Sequence, residues 1–213
     1  MLVAPEVSAL IASIPYASSH GAYADRVGGG IIYYALTSLI RARVCVCLGS
    51  GGGFVPCLMR QAQRDLGIER AETYLVDAIL PEAGFGGPDE PGGWLDPDGV
   101  FRQHYPDITV LNCHTREAAR GFFKKNRVRI DYLHIDADHS LKGALEDSES
   151  YLPLMQPSGI VTLHDTSWPS IQEVLKRIRS KRPEFQCLDL PDIGAGLAIL
   201  RRKCEPAQPP NGF

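Results

Sequence analysis

Two hydrophobic periods alternate along this chain, a short strand-like one and a longer helical one. Runs rich in β-branched and aromatic residues fall at Val44 to Leu48, Thr73 to Asp77, Ile108 to Asn112, Asp131 to Asp136, Gly159 to His164, Phe185 to Leu190 and Gly196 to Arg201. Helical patterns lie between them. Phe54 to Leu66 carries Pro56 in its first turn and stops at Gly67. Ser140 to Leu152 ends at Pro153, with Leu141, Leu145 and Leu152 on its buried side. Ile171, Val174, Leu175 and Ile178 recur at i, i+3, i+4 and i+7, and Ser170 to Glu173 reads as a capping box. This alternation predicts an α/β fold, a seven-stranded mostly parallel sheet with helices on both faces. The last two strands are joined through Pro191-Asp192-Ile193-Gly194 without a helix, so they are predicted to form an antiparallel C-terminal hairpin.

Two segments break the rhythm within what reads as a single domain, 1–213. Residues 1–42 precede the first strand and are predicted to form a helical cap of one or two helices, with the glycine-rich stretch from Tyr16 to Gly30 able to close over a site. Residues 84–99 hold six glycines, three prolines, four acids and Trp94. That stretch follows the second strand on the ligand side of such a sheet and reads as a lid loop.

The chain's 213 residues suffice for one sizeable core. A net charge of −3 gives no electrostatic footprint for nucleic acid. The basic stretches Lys124 to Arg127 and Lys176 to Arg182 read as solvated helix faces. The longest apolar stretch, Val27 to Ile40, is too short for a membrane span and is flanked by Arg26 and Arg41. Six cysteines without a C-x-x-C pair read as reduced thiols of a cytoplasmic protein.

The first strand runs straight into Gly49-Ser50-Gly51-Gly52-Gly53, where a missing Cβ lets the main chain approach a ligand. A dinucleotide fingerprint would place its third glycine where Phe54 stands, and a phosphate loop would need Lys-Ser/Thr where the chain has Val55-Pro56. The second strand ends in Asp77, placed to accept ribose hydroxyls in a nucleotide-binding α/β fold. The densest chemistry is Leu133-His134-Ile135-Asp136-Ala137-Asp138-His139-Ser140 ending the fourth strand and Leu163-His164-Asp165 ending the fifth. Alternation places Asp136 and Asp138 on one face. Carboxylates clustered in this way call for a divalent cation. His134 reads as a core residue; His20, His104 and His114 stand in loops without an evident partner.

The G-x-G-x-G glycines, Asp77, the IDADH segment, Leu154 to Gly159 and the LHD segment resemble, in order and spacing, the class I S-adenosylmethionine-dependent methyltransferases, and most of all the metal-dependent sugar O-methyltransferases of macrolide and aminocoumarin pathways. Catechol and caffeoyl-CoA O-methyltransferases are more distant likenesses. The resemblance implies S-adenosylmethionine at Gly49, Ser50, Gly51, Gly53, Asp77 and Asp136, and Mg²⁺ or Mn²⁺ at Asp136, His164 and Asp165. The families usually carry a carboxylate where His164 stands. His139 matches the general base three residues beyond the metal aspartate, and Asp138 is the second candidate. Histidine suits that role because its ordinary pKa lies near neutrality.

The implied acceptor is a hydroxyl of a sugar or oligosaccharide, extending to the reducing end of a methylmannose oligosaccharide, and the implied assembly a homodimer. Trp94 and Trp168 are candidates for stacking on a sugar face. A catechol-type O-methyltransferase, a non-catalytic S-adenosylmethionine-binding protein and a nicotinamide-dependent oxidoreductase remain the competing readings.

Overall fold

Strand β1, Val44–Leu48, is buried along its whole length and divides the core in two. Val44, Val46 and Leu48 face one apolar cluster, with Phe123, Tyr151, Ile171 and Val174; Cys45 and Cys47 face the other, with Ile11, Tyr33, Phe54 and Leu58. A strand covered on both faces has no polar side, which is why β1 reads as a continuous apolar run. These features come from a computed structural model that describes residues 4–49, 51–78 and 93–203.

The other strands are β2 Glu72–Asp77, β3 Thr109–Asn112, β4 Ile130–Ile135, β5 Met155–His164, β6 Phe185–Leu190 and β7 Leu197–Arg202. They form a single sheet in the order β3-β2-β1-β4-β5-β7-β6. All neighbouring pairs are parallel except β5 with β7 and β6 with β7, so the predicted antiparallel hairpin is present. The helices are α1 Pro5–Ala12, α2 Ile31–Leu39, α3 Phe54–Asp65, α4 Val100–His104, α5 Thr115–Ala118 continued by a π-helical turn Ala119–Lys124, α6 Leu141–Tyr151 and α7 Pro169–Lys181. No described helix is long and apolar enough to cross a membrane.

Strand β5 starts earlier than its apolar pattern. Its register against β4 jumps from Ile130↔Met155 to Tyr132↔Ile160, and the irregularity absorbs Pro157, which has no N–H for the ladder. Asp131, at that irregularity, accepts from the Arg43 and Val44 amides and ties β4 to the start of β1.

Helix α7 buries the expected Ile171, Val174, Leu175 and Ile178, each contributing about 1.5–3 kcal/mol if fully buried. Its start differs from the sequence expectation. Trp168 is the N-cap and Pro169 occupies the first turn, so the helix begins before Ser170 and no capping box forms. The Ser170 hydroxyl instead donates to the His139 carbonyl at 2.7 Å, and Glu173 accepts from Arg177 at 2.9 Å. In α6 the buried stripe is Ala144, Asp147, Ser148 and Tyr151, with Leu141 and Leu145 at its margins.

Candidate active site

The carboxyl ends of β1, β2, β4 and β5 lie side by side. The Gly49 amide donates to Val76 O at 2.9 Å and the Asp136 amide to Leu48 O at 2.8 Å, which fixes the glycine turn between the ends of β2 and β4. Gly49 has φ +69°, and a Cβ there would stand 2.2 Å from the Asp136 carbonyl oxygen, so only glycine fits this contact. Gly51 lies under the Tyr16 ring. Asp77 ends β2 opposite Asn112 of β3. Ser50 and most of the predicted lid, 84–92, lie outside the described residues.

Asp136 is the hub. Its side chain is 7% exposed. Oδ2 lies 3.0 Å from His20 Nε2, and Oδ1 lies 3.0 Å from His164 Nδ1 and 3.3 Å from His139 Nε2. His139 Nε2 also meets Asp165 Oδ2 at 2.5 Å. Burial opposes ionisation of Asp136, yet the surrounding His164, His134 and His139 hold its carboxyl well below the usual carboxylate range. Hydrogen bonds to Asp136 and Asp165 raise His139 to about 9, against the effect of burial. Burial would lower His164 as well, but Asp136 raises it to about 10.

Among the described residues two donor groups converge closely enough to hold a cation: Asp136, His139 and Asp165, and His20, Asp136 and His164. Asp165 stands at φ +55°, a left-handed conformation that Asp tolerates better than most residues and that turns the chain out of β5. Trp168, 50% exposed, lies with its ring 5.2 Å from that of His139 at 36°.

Residues 46–166, more than half of the chain, match the family described as Methyltransferase domain. The chain belongs to this methyltransferase-domain family. No curated protein sequence matches it. Solved structures share its fold at low identity. Rv0187 from MTB, cofactor-bound, is 13% identical with a TM-score of 0.64, over 94% of this chain and 88% of that one. The O-methyltransferase from Bacillus cereus, in complex with SAH, is 14% identical with a TM-score of 0.64, over 82% and 80%. TomG from Streptomyces achromogenes, an O-methyltransferase of tomaymycin synthesis in complex with SAM, is 12% identical with a TM-score of 0.63, over 82% and 79%. The fold is thus the Rossmann-like methyltransferase fold, and the protein is a methyltransferase.

The methyltransferase brings Asp136, His139, His164 and Asp165 together and leaves Asp138 apart. The chain bends at Ala137, so Asp136 and Asp138 do not share a face. Asp138 Oδ1 accepts from the Ser140 amide at 2.8 Å, and its carboxylate packs over Gly143 at the start of α6. Trp94, 2% exposed, is packed with Phe101 and Tyr105 in the core and offers no stacking face.

His20 gives the largest departure from the sequence reading. It is 3% exposed, contacts Asp136 and lies flat against His164. The only sequence signal for this was the glycine-rich stretch around it. His134 is fully buried, as expected for a core residue, with Nδ1 2.8 Å from Thr162 Oγ1, and burial lowers its pKa to about 4.

Proposed function

We propose that this methyltransferase transfers a methyl group from S-adenosylmethionine to a hydroxyl of a sugar or oligosaccharide, assisted by a divalent cation. The carrying observation is the convergence of Asp136, Asp165 and His139 beside the glycine turn, with the half-exposed Trp168 ring over His139. An aromatic face beside the reacting group suits the apolar face of a pyranose. Positive φ at Gly49, Gly51 and Gly53 makes a glycine turn after β1, tied by the Gly49 amide to Val76 next to Asp77, an arrangement that fits a nucleoside cofactor.

Asp136 and Asp165 are the carboxylates suited to hold the cation, and His164 adjoins them with Nδ1 3.0 and 3.5 Å away. A bound cation supplies orientation and a lowered pKa for the acceptor hydroxyl. His139 Nε2, which lies against both carboxylates at the ends of β4 and β5, is the nitrogen placed to take the hydroxyl proton. Trp168 holds the acceptor over that nitrogen and limits water around it. Asp138 remains the alternative base, although its carboxylate is engaged by the amide of Ser140, the N-cap of α6. The same reading takes the protein as a cytoplasmic homodimer; free, buried Cys45, Cys47 and Cys57 fit a reducing compartment, and the dimer rests on the family resemblance.

The test is mass spectrometry of S-adenosylmethionine reactions with a panel of mannose oligosaccharides, other sugars and catechols, with and without EDTA. Sugar methylation lost to EDTA and restored by Mg²⁺ or Mn²⁺ is the expected result. Methylation of catechols alone moves the acceptor class, and full activity in EDTA removes the cation.

A further inference from the structure

The second donor group, His20, Asp136 and His164, has its outer hydrogen bonds arranged as those of metal-ligating histidines are. A ligating imidazole usually gives its other ring N–H to a carbonyl or carboxylate, which fixes its tautomer and aims its free nitrogen at the ion. His164 Nε2 lies 2.9 Å from Ser19 O. A carbonyl oxygen only accepts, so Nε2 keeps its hydrogen, and Nδ1, aimed at Asp136 3.0 Å away, is the nitrogen whose proton a metal ion would displace. His20 Nδ1 lies 3.2 Å from Tyr16 O and 3.0 Å from Ser19 Oγ, and that hydroxyl donates to Tyr16 O at 2.7 Å. Both neighbours thus accept, the hydrogen is on Nδ1, and Nε2 is aimed at Asp136 Oδ2, 3.0 Å away. The two rings stack with centroids 4.1 Å apart and planes 5° apart.

An independent observation points to the same place. His134 Nε2 is buried without a hydrogen-bond partner among the described residues, in a side chain that is fully buried, and lies 3.9 Å from Asp136 Oδ2. Buried ring nitrogens are normally satisfied, so one left open toward a carboxylate flanked by two aimed imidazoles marks a place for a ligand.

We infer that His20, Asp136 and His164 form a two-histidine, one-carboxylate site for a transition-metal ion, with the N-terminal segment supplying one ligand. Imidazole donors favour Zn²⁺, Co²⁺, Mn²⁺ or Fe²⁺ over the hard Mg²⁺ and Ca²⁺. The inference deepens the cation-assisted reading above, with which it shares Asp136 and His164, by naming the class of ion and adding His20. It also gives Tyr16 and Ser19 a role. Their carbonyls orient the ligands, and Ser19 O also accepts from the Ala195 amide at 2.8 Å, anchoring the segment to the turn between β6 and β7.

Co²⁺ and Mg²⁺ are titrated separately into the full chain, with calorimetry and visible ligand-field absorption as readouts. Co²⁺ is expected to bind more tightly than Mg²⁺. His20→Ala is expected to weaken Co²⁺ by about 100-fold or more, above the loss typical of an outer-sphere partner, while His139→Ala retains it. Hyperfine spectroscopy of Mn²⁺-loaded wild-type protein with isotopically labelled histidine counts bound imidazoles directly, so the test stands if His20→Ala fails to fold. Two are expected, and fewer overturn the proposal. Tighter Mg²⁺ binding, or Co²⁺ binding unchanged in folded His20→Ala, overturns this inference alone and leaves Mg²⁺-assisted transfer intact. Transfer insensitive to chelation, with no divalent binding, overturns both.

Discussion

His139 Nε2 lies 2.5 Å from Asp165 Oδ2, closer than to Asp136 Oδ1 at 3.3 Å, so one imidazole bridges the ends of β4 and β5. Asp165 reaches it only because the chain leaves β5 with a positive φ, and Trp168, whose amide donates to Asp165 O at 2.9 Å, is brought over the same ring. One turn after β5 therefore sets both the carboxylate and the aromatic ring against His139, which comes from the end of β4.

Replacement of His139 tests the base. His139→Ala is expected to lower kcat by roughly 10² to 10⁴ while S-adenosylmethionine affinity stays near wild type, since loss of a base acts on the chemical step. Asp138→Ala measured beside it decides between neighbours. A near-normal kcat in His139→Ala, with an inactive Asp138→Ala that still binds cofactor, transfers the role.

Trp168 should report on the acceptor. Removing a stacking ring costs about 0.5–1.5 kcal/mol beyond area burial, or roughly 2- to 10-fold in binding. Trp168→Ala is expected to raise the acceptor KM by at least that factor and leave cofactor affinity unchanged, with Trp168→Phe retaining most of the effect. An unchanged acceptor KM removes Trp168 from the acceptor site.

Gly49 and Gly67 form a matched pair. Both have positive φ, but a Cβ on Gly49 meets Asp136 O at 2.2 Å, whereas one on Gly67 meets nothing within 4 Å. Gly67→Ala is expected to cost only the left-handed conformation, about 1–2 kcal/mol. Gly49→Ala adds a main-chain displacement and is expected to cost more than about 4 kcal/mol. Denaturant midpoints compare the two, and equal losses refute the contact argument.

Much of this was legible in the sequence because it is local. The apolar run of β1, the glycines after it, the acid that ends β2, the acid that follows β4 and the spacing on α7 are each specified within a dozen residues. What escaped depended on tertiary contact or on a bend. His20 sits in a short turn whose local residues give no hint of Asp136. Asp138 lost its expected face because the strand ends before it, at Ile135, and the chain bends at Ala137. The early start of β5 was missed because Gln156-Pro157-Ser158 has turn composition; pairing of Met155 with Ile130 of β4 carries the strand back across it.

Asp147 lets the fold's pH dependence be checked away from the histidine cluster. It is 3% exposed on α6, Thr115 donates its hydroxyl to Oδ1, and Oδ2 has no hydrogen-bond partner among the described residues. Burial raises its pKa from 3.8 to about 6, helped by the charges of Asp138 and Glu146. The folded pKa thus lies above the unfolded one, and between those values the native state holds a proton that the unfolded chain has released. This group's contribution to stability is therefore greatest below the unfolded pKa, falls as pH rises through the window to about 6, and is flat above it. The loss is on the order of 1–3 kcal/mol. Asp147→Asn, which resembles the protonated form, is expected to abolish this component, so that the stability difference between variant and wild type grows in the variant's favour from pH 4 to pH 7. Denaturant titrations of both proteins across that range measure it. A difference that does not change with pH would show that Asp147 ionises at its ordinary value.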